Sequence, residues 1–246
     1  MAKQTNILST KKLLPNQKQV LSDAAISVME EDFIETKIKT FEFHSLGGVS
    51  EGRGGIKVHD NIIFTSQNAV QSILQHPKCD ELKSKSVFSV GMKTKDLLTE
   101  NGFDVVAYTG YASDLAEIIS LVYSSDSFTF FSGNLRRDVL PDTLKENGIT
   151  FNEIEVYETN LTSRKATPPH GHPSKGWESR FDGILFFSPS GVESYFKLNT
   201  IKDEMCFCIG ETTAEALENK KVKNILIADK PSIENVIAEV IEYYQS

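Results

Sequence analysis

Short polar turns follow apolar runs at six places in this 246-residue chain, and their N–H and hydroxyl groups are of the kind that binds anions. In a parallel sheet such turns lie where helices begin, at the positive end of the helix dipole. Ser, Thr and Asn are also common N-caps, and that role better explains each turn taken alone. Six together favour a site for several carboxylates or phosphates. The predicted binding residues are Thr10, Lys11, Thr65, Ser66, Asn68, Gly91, Lys93, Thr94, Ser132, Gly133, Ser188, Ser190, Gly191, Gly210, Thr212 and Thr213.

Tyr157 is the predicted catalytic residue, because it is the one titratable side chain on the predicted second linker strand that is placed to face a ligand. An aromatic ring packed at a hinge accounts for it equally well. The motif HExxH and a paired-carboxylate motif do not occur. The histidines, His44, His59, His76, His170 and His172, all lie outside the repeated turns. An enzyme built this way would act mainly by positioning and electrostatics.

Neither a metal nor a cofactor is predicted. His170 and His172 lie in a proline-rich loop at 165–177 without a nearby carboxylate or cysteine ligand, so solvated histidines are the better interpretation. The glycine-dense segment 47–55 lacks the Lys-Ser/Thr of a phosphate-binding loop. No complete GxGxxG follows a strand, which argues against a nucleotide-dependent oxidoreductase. Lys11, Lys12, Lys93, Arg136 and Arg137 occur at the polar turns, either as anion ligands or as surface charges.

The polar turns belong to a repeat whose two copies are rotated relative to each other. Phe64–Val70 returns as Phe186–Val192, Val87–Thr94 as Cys206–Thr213, and Ile7–Pro15 resembles Phe130–Arg137. The start of the chain therefore pairs with the last unit of the middle block, as it does when one domain is inserted in another. The predicted fold class is α/β, with two similar parallel-sheet domains, one inserted in the other, joined by a two-stranded linker with a cleft between them.

The predicted boundaries follow from the periodicity of apolar residues. A helix is expected from Pro15 to about Glu30. Linker strands are expected at about 34–45 and 151–159, with four strand–turn–helix units in each domain. The outer domain then comprises 1–36 plus 160–246, and the inserted domain comprises 41–155.

The composition, with 39% hydrophobic residues, is that of a globular protein. The net charge of −8 argues against nucleic-acid binding, while a local field could still attract a small anion. No apolar stretch is long enough to span a membrane, and no signal-peptide core follows the first residues. The three cysteines form no CxxC pair. We therefore expect a cytoplasmic protein, and a monomer.

The order and spacing of several short segments resemble the uroporphyrinogen-III synthase family. The segments are Phe64–Val70, Val90–Thr94, Val156–Thr159, Ser188–Val192 and Ile209–Ala214. The resemblance implies two α/β domains joined by two strands, and a cofactor-independent lyase of heme biosynthesis. Its substrate would be hydroxymethylbilane, a linear tetrapyrrole with eight carboxylates. The enzyme would close the macrocycle with inversion of the D ring, through a spiro intermediate, and with loss of water.

The resemblance also implies roles for particular residues. Tyr157 matches the family's tyrosine and would assist hydroxyl departure as a proton donor, and Thr213 would contact a carboxylate. Ser66, Thr94 and Ser190 would line the cleft. Many members have Thr-Arg-Pro where this chain has Thr10-Lys11-Lys12, which keeps a positive charge but loses the bidentate fork of arginine. The alternative is a non-catalytic two-domain binding or regulatory protein for an anionic metabolite.

Overall fold

The computed structural model of the protein describes residues 5–44, 56–166 and 181–245. Their elements in chain order are β1 (Thr5–Ser9), α1 (Pro15–Asp23), β2 (Ile26–Glu30), β3 (Ile34–Ile38), β4 (Phe43–His44), β5 (Ile56–Lys57), β6 (Asn61–Phe64), α2 (Gln67–Leu74), α3 (Cys79–Leu82), β7 (Ser86–Val90), α4 (Met92–Glu100), β8 (Asp104–Thr109), α5 (Ala112–Val122), β9 (Ser127–Gly133), α6 (Val139–Glu146), β10 (Thr150–Leu161), β11 (Gly183–Phe186), α7 (Pro189–Tyr195), β12 (Met205–Cys208), α8 (Glu211–Asn219), β13 (Ile225–Ile227) and α9 (Ile233–Gln245). The glycine-dense segment 47–55 and His170 and His172 lie outside these ranges.

The described residues form two compact units, each built on one large sheet. The first unit comprises the described residues up to Glu35 and from Asn160 onward, and the second comprises Thr36–Thr159 apart from the undescribed segment. The first sheet has the order β13-β12-β11-β1-β2, and the second has the order β8-β7-β6-β9-β10-β3. The two orders coincide over five strands when β1 is equated with β9. This is the rotation that the repeated segments predict.

Neighbouring strands pair in parallel throughout the first sheet, and from β8 to β10 in the order of the second sheet. Their central members are apolar on both faces, as parallel strands covered by helices on two sides should be. In β6, Ile62 and Phe64 pack into one apolar cluster while Ile63 packs into another. In β11, Ile184 and Leu185 divide in the same way. The predicted fold class, α/β with two parallel-dominated sheets, is confirmed.

The predicted helix from Pro15 to Glu30 is wrong in its second half. Helix α1 ends at Asp23, because Ala25 takes a left-handed conformation with φ of 58°. The chain then enters β2, whose Ile26 and Val28 favour a strand, and pairs in parallel with β1 from Thr5↔Ile26 to Ser9↔Glu30. The first unit therefore has five strands rather than four.

The predicted linker strand at 34–45 is also wrong in its extent. Residues 34–44 instead form two separate strands, β3 and β4. Strand β4 pairs with β5 in a small parallel sheet. Strand β3 instead lies at the edge of the six-stranded sheet, next to β10. The second predicted linker strand, at 151–159, lies within the longer β10.

Candidate functional site

The turn after β6 places a serine and a tyrosine in contact at the carboxyl end of the second sheet. Ser66 is the N-cap of α2, and its Oγ accepts a hydrogen bond from the backbone N–H of Ala69 at 3.2 Å. The same Oγ donates to the hydroxyl oxygen of Tyr157 at 3.1 Å. Both side chains are half-buried. The structure thus joins two predicted site residues that are 91 positions apart.

The ring of Tyr157 lies against Gly133, at the end of β9. Strands β9 and β10 pair in register until Glu155, where an irregularity shifts the pairing so that Tyr157 lies opposite Gly133. A Cβ atom at residue 133 would lie 2.3 Å from Cζ of the tyrosine, well inside van der Waals contact. Only glycine fits here without moving the ring. The strand irregularity and the missing side chain together fix where the phenol points.

An ion-pair network holds the turn that follows Gly133. The Ser132 hydroxyl donates to Oε1 of Glu153 at 2.6 Å, and Arg136 binds both oxygens of the same carboxylate, at 2.5 and 2.9 Å. Arg136 also contacts Asp138. Burial raises the pKa of Glu153, but the hydrogen bonds from Arg136 and Ser132 outweigh it, and the net pKa lies below its usual range. Hydrogen bonding to Glu153 is the first cause of the raised pKa of Arg136.

The corresponding turns of the first unit bring together a different set of predicted residues. Ser188 is the N-cap of α7 and accepts from the N–H of Gly191 at 3.0 Å, and its Oγ lies 3.1 Å from Oγ of Ser190. Thr10 is buried and donates to the carbonyl of Leu185 at 2.7 Å. A Cβ at Gly191 would lie 3.3 Å from Ser188 Oγ and 3.8 Å from Thr10 Oγ1. These hydroxyls therefore line one tightly packed turn.

The two glycine-threonine turns share a capping glycine and a buried threonine, although their glycines differ in backbone conformation. Gly91 caps α4, Gly210 caps α8, and the third helical residues, Thr94 and Thr213, are 5% and 1% exposed. Their backbone N–H groups bond to the carbonyls of Gly91 and Gly210. Burial of both threonine side chains means that these turns offer a ligand mainly the backbone N–H groups of the first helical residues. Gly91 has φ of 86°, a conformation that favours glycine.

The remaining predicted residues divide by exposure. Lys11, Asn68 and Lys93 are exposed, whereas Thr65 and Thr212 are half-buried. The buried Ser132 donates its hydroxyl hydrogen to Glu153 and so has none left for a ligand. Glu153 was not predicted as a site residue, because a glutamate in an alternating strand shows no sign of its partner in a distant turn.

The described part of the chain holds no group of three His, Cys, Asp or Glu residues close enough to share a metal ion. The His76 ring stacks against the rings of both Phe41 and Phe43, with ring centroids 4.6 and 4.7 Å away. Its Nδ1 accepts from the N–H of Lys78 at 3.1 Å, and its Nε2 lies 3.1 Å from the carbonyl of Phe41. His76 therefore packs a loop onto the end of α2. Among the described helices, none has the length and apolar character needed to cross a membrane.

These features define a two-domain α/β protein with matching polar turns at the carboxyl ends of its parallel strands. A profile of the family described as "Uroporphyrinogen-III synthase HemD" matches residues 35–238. The uroporphyrinogen-III synthase of Chlorobaculum parvum is 30% identical over 74% of this chain and 79% of that protein. The uroporphyrinogen-III synthase of Saccharomyces cerevisiae is 28% identical over 75% of this chain and 76% of its own length. The chain therefore belongs to the uroporphyrinogen-III synthase family.

The solved structures agree at the level of the fold. The crystal structure of uroporphyrinogen-III synthetase from Helicobacter pylori superposes with a TM-score of 0.67, covering 97% of this chain and 99% of that one at 20% identity. The family profile and the two related enzymes confirm the family resemblance and the enzyme class inferred from the sequence. The alternative of a non-catalytic binding protein is not favoured.

Proposed function

We propose that this protein cyclises hydroxymethylbilane to uroporphyrinogen III, with Tyr157 as the proton donor. The observation that carries the assignment of Tyr157 is its position at the carboxyl end of the second sheet. Its ring lies on Gly133, and its hydroxyl lies at the N-terminus of α2. Ligands of open α/β sheets bind at such edges, so the phenol lies where a substrate is expected.

The proposed step balances as an acid-assisted elimination followed by ring closure. The phenolic hydrogen of Tyr157 passes to the substrate's hydroxyl group, the C–O bond breaks with its electron pair on oxygen, and water leaves. The positive charge left on the first pyrrole moves to ring D when the carbon of ring D that carries the bridge to its neighbour attacks and forms the spiro intermediate. The bond from that carbon to the bridge then breaks, the bridge carbon bonds to the unsubstituted α carbon of ring D, and this carbon loses its proton, which neutralises the charge and leaves ring D inverted. That proton restores the phenol. General-acid assistance of this kind contributes about 10²–10⁴-fold to a rate.

The other turns are proposed to bind the substrate's carboxylates. Helices α2, α4, α7 and α8 all begin at predicted binding turns, and unpaired N–H groups at helix starts attract carboxylates. We expect the exposed Lys11 and Lys93 to add positive charge there. We assign no metal or organic cofactor to this step, since proton transfer and positioning suffice for it.

We also propose that the enzyme acts as a cytoplasmic monomer without a nucleic-acid partner. The net charge of −8 supports the last point. The cysteines support a reducing compartment, because Cys79, Cys206 and Cys208 are free and buried. Burial raises the pKa of Cys208 to about 12, which keeps this thiol unreactive.

The test is an isomer assay on purified protein. Freshly generated hydroxymethylbilane is added, the product is oxidised to porphyrin, and isomers III and I are separated by chromatography. We expect isomer III from the wild type, and a fall in kcat of about 10²-fold in Tyr157→Phe with little change in KM. Tyr123→Phe is the matched control, because Tyr123 packs edge-on against Phe88, 4.9 Å between ring centroids, within the same unit.

The outcomes separate the parts of the proposal. Isomer I at the spontaneous rate from folded wild-type protein would refute the synthase assignment and return the binding-protein alternative. Isomer III from the wild type together with an unimpaired Tyr157→Phe would keep the activity but remove Tyr157 from the proton transfer.

A further inference from the structure

We infer that Ser66 acts on the reaction through Tyr157, holding and polarising its hydroxyl, rather than by binding the substrate. This inference rests on the proposed function, because it needs Tyr157 to be the proton donor. It changes the role expected for Ser66 from the sequence, which was to bind the substrate as part of the cleft lining. Ser66 is thus a positioning residue.

The hydrogen-bond capacity of the serine supports this role. A serine hydroxyl has one hydrogen to donate and two lone pairs that accept. One lone pair of Ser66 receives the N–H of Ala69, and its hydrogen goes to the oxygen of Tyr157. No second hydrogen is left for a substrate carboxylate, which can only accept.

The direction of these bonds favours proton donation by the tyrosine. The N–H of Ala69 donates to Ser66, and Ser66 donates to Tyr157, so the tyrosine's own hydrogen is free to point outward. Successive hydrogen bonds that run the same way polarise one another and strengthen the last donor. This series of hydrogen bonds begins in the first turn of α2. The positive end of the helix dipole there favours the negative charge that develops on the phenolic oxygen.

Two contacts therefore fix the phenol. Gly133 supports its ring, where an added Cβ would lie 2.3 Å from Cζ, and Ser66 holds its oxygen at 3.1 Å. A tyrosine side chain has only two rotatable bonds before the hydroxyl, so a support and an anchor suffice to set its direction. Loss of the Ser66 hydrogen bond should leave the Tyr157 ring on Gly133 but its hydroxyl poorly oriented.

The experiment is a double-mutant cycle with Ser66→Ala, Tyr157→Phe and the double variant in the isomer assay. We expect Ser66→Ala to lower kcat about tenfold with KM within about twofold, as for one lost hydrogen bond. In the Tyr157→Phe background the same change should have little further effect. Ser66→Thr keeps the hydroxyl and should restore most of the rate. Ser66→Gly, which costs little as an N-cap, tests the lost hydroxyl if Ser66→Ala folds poorly.

The control is Ser232→Ala, because Ser232 also accepts the backbone N–H of a residue three positions later, Asn235, at 3.1 Å but lies outside the predicted site. This variant should keep wild-type kcat and KM. A second readout does not depend on turnover: the ¹³Cζ resonance of Tyr157, assigned with Tyr157→Phe, should shift in Ser66→Ala and stay in place in Ser232→Ala.

The outcomes distinguish the two proposals. A rise in KM for Ser66→Ala, with the same loss in both Tyr157 backgrounds, would show direct substrate binding and overturn the inference alone. An unchanged Tyr157 resonance would also overturn it. A wild-type protein that makes no isomer III would refute the proposed function and the inference with it, even if the resonance shift showed that the Ser66–Tyr157 contact is real.

Discussion

The turns after β6 and β11 begin their helices in the same way but differ in what their serine holds. Ser66 and Ser188 each accept the backbone N–H of the residue three positions later, at 3.2 and 3.0 Å. On its other side Ser66 contacts the phenol of Tyr157, whereas Ser188 contacts the hydroxyl of Ser190. The two units therefore share the capping bond and differ in the group presented at the edge of the sheet.

The neighbouring strand explains why only one unit carries the tyrosine. Gly133 at the end of β9 corresponds to Thr10 after β1 in the rotated repeat. The missing side chain at Gly133 makes room for an aromatic ring, whereas Thr10 is buried and its hydroxyl donates to the carbonyl of Leu185. The absence of a side chain at residue 133 thus allows the proposed proton donor to fit in the second unit. Similar sheets consequently differ in chemistry, because anion-binding turns are proposed in both units and a proton donor only in the second.

The largest effect is expected from giving the second unit the residue of the first, Gly133→Thr. The new side chain would displace the Tyr157 ring, since its Cβ alone would lie 2.3 Å from Cζ. We expect kcat for isomer III to fall at least as far as in Tyr157→Phe, about 10²-fold. The free energy of unfolding should fall by about 1–3 kcal/mol from overpacking. Kinetics and urea denaturation measure the two effects.

Gly110→Ala is the matched control for this substitution, because nothing lies within 4 Å of the Cβ it would add. It should leave both kcat and stability near their wild-type values. Full activity in Gly133→Thr would show that catalysis does not require the Tyr157 ring to lie on Gly133. The difference between the two units at this position would then have no functional consequence.

The second prediction concerns the Ser132–Glu153–Arg136 network, which has no counterpart among the described residues of the first unit. The counterpart of Ser132 is Ser9, which donates instead to the carbonyl of Lys11. Glu153→Gln removes the charge that two Arg136 nitrogens bind, and should lower the free energy of unfolding by about 1–3 kcal/mol. Denaturation in urea at pH 7 measures it.

Glu155→Gln is the control for the network, on the same strand. Glu155 pairs with Lys39 at 2.8 Å, but both side chains are more than a third exposed, so Glu155→Gln should change the free energy of unfolding much less than Glu153→Gln. Equal losses in the two variants would mean that the network adds nothing beyond an ordinary surface ion pair.

The sheets and their turns were predictable from the sequence because apolar runs and polar turns recur in both units. Strand β2 was missed, since Ala24, Ala25 and Val28 continue the helical spacing of α1. The repeat itself predicts a strand here, because β2 is the counterpart of β10. Each of these strands follows a helix and pairs with the strand before that helix. The contact between Ser66 and Tyr157 was not predictable, since it depends on a register shift in β10 and on the space left by Gly133.

The third prediction uses pH to isolate the same network. Glu153 has a lowered pKa in the folded protein, so it stabilises the fold above the unfolded value, near 4.3, and loses that contribution as pH falls through the folded value. The difference in unfolding free energy between wild type and Glu153→Gln should be full at pH 6–7 and should narrow below about pH 4. Denaturation midpoints from pH 3 to 7 measure it, and a gap that stays constant with pH would contradict this assignment.

The smallest effect tests what the two units share. Ser66→Ala and Ser188→Ala each remove one N-cap acceptor, and each should lower the free energy of unfolding by about 0.5–2 kcal/mol. The two losses should agree within about 1 kcal/mol, because the additional contacts of both serines are hydroxyl to hydroxyl and only part-buried. Thermal and urea denaturation of both variants provide the comparison. A much larger loss of unfolding free energy for Ser66→Ala than for Ser188→Ala would show that the contact with Tyr157 mainly stabilises the fold. The lower kcat of Ser66→Ala would then result from a destabilised structure rather than from a poorly oriented Tyr157 hydroxyl.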